Sequence, residues 1–137
     1  MRITTGLYKG RQLKAPAGIR PTEDRVRKAF FDIMGDCSGM SFLELYAGSG
    51  AVGLEALSRG AQSVTFVEKE RKAVEMIEKN LALLGQDALS RARVIHHEAD
   101  RVIPQLAEAG KRFDLVFLDP PYYRDIAEKT LQLLGAC

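Results

Sequence analysis

The 137-residue sequence predicts an α/β fold built on a doubly wound, mostly parallel sheet, and three observations predict it. From residue 41 onward, short apolar runs alternate with helical patterns, the rhythm of βαβ units. Gly60 and Gly85 fall where two of those helical patterns should stop. Glycines 48, 50 and 53 form G-x-G-x-x-G between a strand pattern and a helix pattern, where missing side chains let a ligand approach the backbone.

The elements follow in order. Residues 2–15 alternate loosely around Gly6 and Gly10, which suggests a short hairpin outside the main core. Thr22 reads as an N-cap, with Glu23 and Asp24 in the first turn. Val26, Ala29, Phe30, Ile33 and Met34 then repeat at helical spacing, so an amphipathic helix should run to Gly35 with Arg25, Lys28 and Asp32 on its outer face. Four strands are expected at 42–46, 64–67, 93–96 and 114–118, followed by helices at 51–58, 70–84, 101–108 and 125–134. Right-handed crossovers in such a sheet put ligands outside the carboxyl ends of the strands, so chemistry belongs in the loops after them.

Composition narrows the classes further. With 46% apolar and 28% charged residues the chain is too apolar for a disordered segment, and its length suits one domain with a sizeable core. No stretch reaches the ~18 apolar residues of a membrane span, and no signal-peptide pattern opens the sequence, so a soluble, cytoplasmic protein without a membrane partner is expected. Cys37 and Cys137 lack C-x-x-C spacing, and the adjacent His96 and His97 lack ligand spacing, so no metal site is expected. The total charge of +2 hides an asymmetry. Residues 1–28 carry eight basic and two acidic groups, a balance of +6, which leaves −4 on the rest. A basic arm of this kind suits a phosphate backbone, or simply a solvated surface. The division expected is a basic arm or hairpin over residues 1–21 and an α/β domain over residues 22–137.

The glycine loop gains meaning from two acids. Glu68 closes the second strand, 20 residues after Gly48, where a carboxylate accepts hydrogen bonds from ribose hydroxyls. Loop and acid together make a nucleoside cofactor the expectation, against glycines used only for a tight turn. Glu44 precedes the glycines on the first strand. A carboxylate there would repel a pyrophosphate and welcome an α-amino group, which favours S-adenosylmethionine over a nicotinamide dinucleotide.

The fourth strand runs into Asp119-Pro120-Pro121-Tyr122. Two prolines remove two backbone donors and fix φ, leaving an acceptor-rich corner. An exocyclic base amine is a poor nucleophile because its lone pair is delocalised. Accepting its N–H hydrogens with the Asp119 carboxylate and the Pro120 carbonyl would localise that pair, while Tyr122 stacked on the base, a contact worth ~1–3 kcal/mol. Chemistry of this type needs a base that is unpaired or taken out of its stack.

These residues carry a family resemblance. Asp119 to Tyr122, with the loop from Glu44 to Gly53, resembles the amino-group branch of the class I S-adenosylmethionine-dependent methyltransferases, whose fold is Rossmann-like. Gly10-Arg11-Gln12-Leu13 and the run from Arg20 to Arg27 are similar to the arm and first helix of the bacterial 16S ribosomal RNA guanine-N2 methyltransferases acting at guanine 966. The resemblance implies catalytic roles for Asp119, Pro120 and Tyr122, with Tyr123 a second stacking residue. It implies cofactor contacts at Glu44, Gly48, Gly50, Glu68 and Asp100, and RNA contacts at Arg11 and Arg20. The partner implied is 16S ribosomal RNA or a small-subunit assembly particle.

That family carries seven strands, of which this sequence shows four. Leu115-Val116-Phe117-Leu118 is apolar on both faces and reads as an interior strand, so either the sequence is a C-terminally truncated form lacking the last strands or another chain covers that edge. Two other readings stand beside methyl transfer: a noncatalytic RNA-binding ribosome assembly factor and an NAD-dependent oxidoreductase using the same glycine loop.

Overall fold

The protein is described by a computed structural model covering residues 1–15 and 21–118, with the backbone alone for 21–26. Asp119, Pro120, Tyr122, Tyr123, Arg20, Cys137 and the helix expected at 125–134 lie outside the described residues. The elements are α1 (Pro21–Met34), β1 (Ser41–Leu45), α2 (Ala51–Ser58), β2 (Ser63–Glu68), α3 (Arg71–Leu84), α4 (Gln86–Arg91), β3 (Ala92–His96), α5 (Ala99–Glu108) and β4 (Leu115–Leu118).

The four strands are parallel and ordered β3-β2-β1-β4, as an α/β doubly wound sheet requires. The register sets Phe42 beside Val64 and Leu115, and Glu44 beside Phe66 and Phe117. Because side chains alternate along a strand, each strand feeds two cores. Phe42, Val64 and Phe66 face Phe31, Leu54, Leu57, Ile77 and Leu81. Leu43, Leu45 and Val67 face Val102, Ile103 and Leu106 of α5 on the other side. The same alternation puts Leu115 and Phe117 on the first core and Val116 and Leu118 on the second. All four β4 residues are half-buried, and β4 closes the described sheet beside β1.

Three expectations need correction. The first helix begins at Pro21, a residue whose missing N–H costs nothing in a first turn, so Thr22 lies inside the helix. Its buried face is also rotated: Phe31 and Arg27 are buried, whereas Ile33 is 87% exposed and Ala29 is exposed. Phe31 stacks on Phe42 with ring centres 6.5 Å apart, and Phe30 meets Phe117 edge-on at 5.3 Å. Arg27 is held because its Nη2 donates to the Arg2 carbonyl at 2.9 Å. Third, the N-terminal segment does not sit outside the core. An antiparallel bridge joins Arg2 and Gln12 as a hairpin would, but Ile3, Tyr8 and Leu13 are buried in the first core. Helix α4 was not expected. It is anchored by Arg91, whose guanidinium donates to the carbonyls of Leu57 and Ala61 and to Asp87 Oδ2.

Candidate cofactor and active-site edge

All four strands point the same way, so the residues after them converge on one edge. β1 delivers Tyr46-Ala47-Gly48-Ser49-Gly50, β2 delivers Glu68-Lys69-Glu70, β3 delivers His97-Glu98-Ala99-Asp100, and β4 ends at Leu118 with Asp119 next in sequence. The turn out of β1 starts at Tyr46, whose φ of +55° is left-handed, a conformation of order 1–3 kcal/mol in cost for a bulky residue. Nothing in the sequence pattern marked Tyr46 as strained.

The glycines of the loop do different work. A Cβ on Gly53 would lie 2.2 Å from Phe66 Cε1, and one on Gly50 would lie 2.9 Å from Ile77 Cγ1. Those two glycines let α2 press against β2 and α3. Gly48, at φ +56°, has open space where its Cβ would stand. Of the three glycines in the motif, it alone leaves the space beside the backbone open.

Both acids hold this loop. Glu68 accepts the Gly48 N–H on Oε1 at 2.8 Å and the Glu70 N–H on Oε2 at 2.7 Å, tying the loop after β1 to the corner after β2. Each oxygen keeps a further lone pair for a ligand hydroxyl. Glu44 lies almost fully buried beneath the loop and accepts the Gly53 N–H on Oε1 at 2.9 Å. Gly50, at the N-cap position of α2, offers no side-chain oxygen, so Glu44 supplies the missing cap from the neighbouring strand. Burial, which the Gly53 and Val52 N–H bonds only partly offset and which the Glu68 charge reinforces, pushes the Glu44 carboxyl up to about 8. The structure therefore turns Glu44 to the N-terminus of α2.

Asp100 sits in the first turn of α5, on the same edge and half-buried. An open cleft of about 500 Å³, lined by Lys69, Glu70, His96, His97, Glu98 and Arg101, adjoins Glu68 at the ends of β2 and β3. His96 Nε2 lies 3.0 Å from the Lys69 carbonyl. Arg11 is elsewhere: its Nη1 donates to the Leu83 carbonyl at 3.0 Å, at the far end of α3. Among the described residues no group of three or more His, Cys, Asp or Glu side chains gathers as for a metal, and no helix is long and apolar enough to cross a membrane. Sequence reasoning missed the buried Glu55 and leaves the role of the buried Asn80 undecided, since nothing in spacing distinguishes them from exposed helix positions.

A parallel sheet with helices on both faces and a glycine loop between its first strand and the helix that follows define a Rossmann-like α/β protein. Comparison with known proteins narrows the class. A family model described as "Conserved hypothetical protein 95" matches residues 1–136. Ribosomal RNA small subunit methyltransferase D of Escherichia coli (strain K12) is 40% identical over 137 residues, covering 98% of this chain and 66% of that protein. Its namesake in Haemophilus influenzae is 38% identical, covering 98% and 70%. The solved structure of yhhF from Escherichia coli aligns with a TM-score of 0.86 at 40% identity, covering 98% of this chain and 72% of that one. The C-terminal domain of precorrin-6Y C5,15-methyltransferase from Rhodobacter capsulatus, at 17% identity and TM-score 0.70, shares the fold. The chain belongs to the bacterial ribosomal RNA methyltransferase family that these relatives represent. It spans 66% and 70% of the two curated relatives' lengths.

Proposed function

We propose that this chain binds S-adenosylmethionine at the carboxyl edge of its sheet and serves methyl transfer to the exocyclic N2 amine of a guanine in 16S ribosomal RNA, at the position numbered 966. The observation that carries the cofactor assignment is the pairing of open space at Gly48 with the Glu68 carboxylate that holds the Gly48 N–H. Gly48 gives the ligand access to the backbone, Glu68 offers its remaining lone pairs to ribose hydroxyls, the cleft at the ends of β2 and β3 leaves room beyond it, and Asp100 in the first turn of α5 is the proposed partner of the adenine amine. Gly50 shapes the loop from behind. The bound cofactor would supply an electrophilic methyl group on a sulfonium.

The position of Glu44 favours this reading over an NAD-dependent oxidoreductase. A dinucleotide of that kind sets its pyrophosphate on the first N–H groups of the helix after the glycines. Here the Glu44 carboxyl of β1, charged or protonated, already accepts the Gly53 N–H. A phosphate would compete with a built-in acceptor.

The substrate half of the reading rests on Asp119, Pro120 and Tyr122, which follow Leu118 in sequence. Asp119 and the Pro120 carbonyl accept the amine's hydrogens and direct its lone pair to the methyl carbon. Tyr122 stacks on the base, and Arg11 and Arg20 contact RNA phosphates. The rate gain then comes from orientation and localisation of the lone pair, without a covalent intermediate. Asp119→Ala is expected to abolish transfer of labelled methyl groups to small-subunit RNA while leaving the S-adenosylmethionine dissociation constant within a few-fold. Undiminished transfer by that variant would remove Asp119 from the mechanism, whereas RNA binding by the unaltered chain without any transfer would favour a noncatalytic assembly factor.

A further inference from the structure

The site described so far leaves unused a set of buried polar groups that act on residues 1–15. Asn80 of α3 is fully buried and binds the backbone of one residue twice: the Lys14 N–H donates to its Oδ1 at 2.8 Å, and its Nδ2 donates to the Lys14 carbonyl at 2.9 Å. On α2, Glu55 accepts the N–H groups of Thr4 and Thr5 at 2.9 and 3.2 Å. Ser58 donates to the Thr5 carbonyl at 2.6 Å and accepts the Tyr8 N–H at 3.0 Å. Burying an amide or a carboxylate is unfavourable unless its hydrogen bonds are made, and here the arm's own backbone makes them.

The consequence is a sorting of the arm's side chains. Ile3, Tyr8 and Leu13 enter the core, while Arg2, Lys9, Arg11 and Lys14 are exposed and no acidic residue occurs among residues 1–15. Tyr8 is fixed a second time by its hydroxyl, which donates to Asp87 Oδ2 at 2.7 Å. The cations thus stand on a backbone fastened at both ends. Leu83, to which Arg11 is tied, lies twelve residues along α3 from Arg71, or about 18 Å from the ligand edge at 1.5 Å per residue.

We propose that Asn80 is a positioning residue for RNA recognition: by pinning the Lys14 backbone to α3 it keeps Lys9, Arg11 and Lys14 as a preformed phosphate-binding strip, remote from the chemistry. The proposal rests on the RNA methyltransferase reading and deepens it. A strip about 18 Å along α3 from the ligand edge grips the backbone of a folded RNA and gives nothing to a free nucleoside. Preformation matters because side chains on an ordered backbone lose less freedom when phosphates dock.

The test measures binding of a folded small-subunit ribosomal RNA fragment containing the target guanine to the full chain across a salt series, with S-adenosylmethionine affinity measured in parallel. The exposed triple variant Lys9→Gln/Arg11→Gln/Lys14→Gln should weaken RNA binding at least tenfold. It should also lower the slope of log K against log salt by about 2 to 3, since each neutralised phosphate contributes roughly 0.7 to 0.9. Asn80→Leu should weaken RNA binding about fivefold or more while cofactor affinity stays within twofold, a split that general unfolding would not give. Unchanged RNA affinity and slope in the triple variant overturn the strip, and unchanged RNA affinity in a cofactor-binding Asn80→Leu protein overturns the role of Asn80. If Asn80→Leu fails to bind cofactor, hydrogen exchange decides: a slowly exchanging Lys14 amide in the unaltered chain supports the pinned arm, and a freely exchanging one refutes it. An unaltered chain that binds no RNA refutes the methyltransferase reading itself, and the strip with it.

Discussion

At the residue scale, the glycine loop divides into positions that shape the fold and one, Gly48, where the space beside the backbone is open. Gly53→Ala would drive a methyl group into Phe66, a ring with no exposure, so denaturant unfolding is expected to show a loss of about 1–3 kcal/mol. Gly48→Ala has room for its methyl, and its stability cost is limited to the left-handed backbone, roughly 1 kcal/mol. Its larger effect is expected on cofactor affinity, because the methyl would occupy the approach to the loop. Equal losses of stability and of cofactor affinity in the two variants would erase the distinction. Glu44 gives a second residue-scale expectation. Its carboxyl binds a proton more tightly folded, at about 8, than unfolded, near 4.5. The favourable contribution is therefore fully present below about pH 4.5 and is lost as pH rises toward 8. Thermal melts of Glu44→Gln should lack this part of the decline, and parallel pH profiles for the two proteins would show that Glu44 is not the titrating group.

At the element scale, what was legible in the sequence were the parts whose signal is periodic. The strands expected at 42–46, 64–67, 93–96 and 114–118 match the observed ones to within one residue at each end, with Tyr46 and Asp114 falling just outside, and the helix expected at 51–58 coincides with α2, because buried parallel strands and glycine stops leave local marks. Helix α4 escaped because six residues cannot complete a periodic pattern, and its stability comes from Arg91 reaching two distant carbonyls. The face of α1 was misjudged for a related reason: the buried Arg27 donates to the Arg2 carbonyl, and Arg2 is 25 residues away. The arm's docking is a tertiary fact of the same kind. Glu55→Ala would strip the Thr4 and Thr5 N–H groups of their acceptor and leave Arg59 Nε without its partner at 3.1 Å, a loss of about 3 kcal/mol or more. Hydrogen exchange should then speed up first at Leu7 and Tyr8, whose N–H groups bond to Ser58 one turn further along α2. Exchange that rises uniformly across the sheet would mean that the arm and the body unfold as one unit.

On the scale of the whole molecule, the parallel order β3-β2-β1-β4 brings four loop starts to one edge, and that convergence was readable from the sequence because connectivity and handedness leave few alternatives. The acid at the end of β2 was readable for the same reason. What could not be read was that Glu68 and Glu44 grip the loop through Gly48 and Gly53, since a hydrogen bond between residues 20 apart depends on the sheet that brings them together. The proposed chemistry joins this cofactor edge to Asp119, Pro120 and Tyr122 just beyond β4 and to the basic arm along α2 and α3. Glu68→Ala tests that architecture at its hinge: losing both the Gly48 tether and the ribose acceptor, the variant should bind S-adenosylmethionine at least tenfold more weakly, and an unchanged dissociation constant would place the ribose elsewhere. The most direct measurement is mass mapping of small-subunit RNA or its assembly particles, taken from cells lacking this activity and incubated with the chain and labelled S-adenosylmethionine. The account predicts one labelled N2-methylguanosine at position 966. Label on another base or another atom, or none on any small-subunit RNA despite bound cofactor, would contradict it.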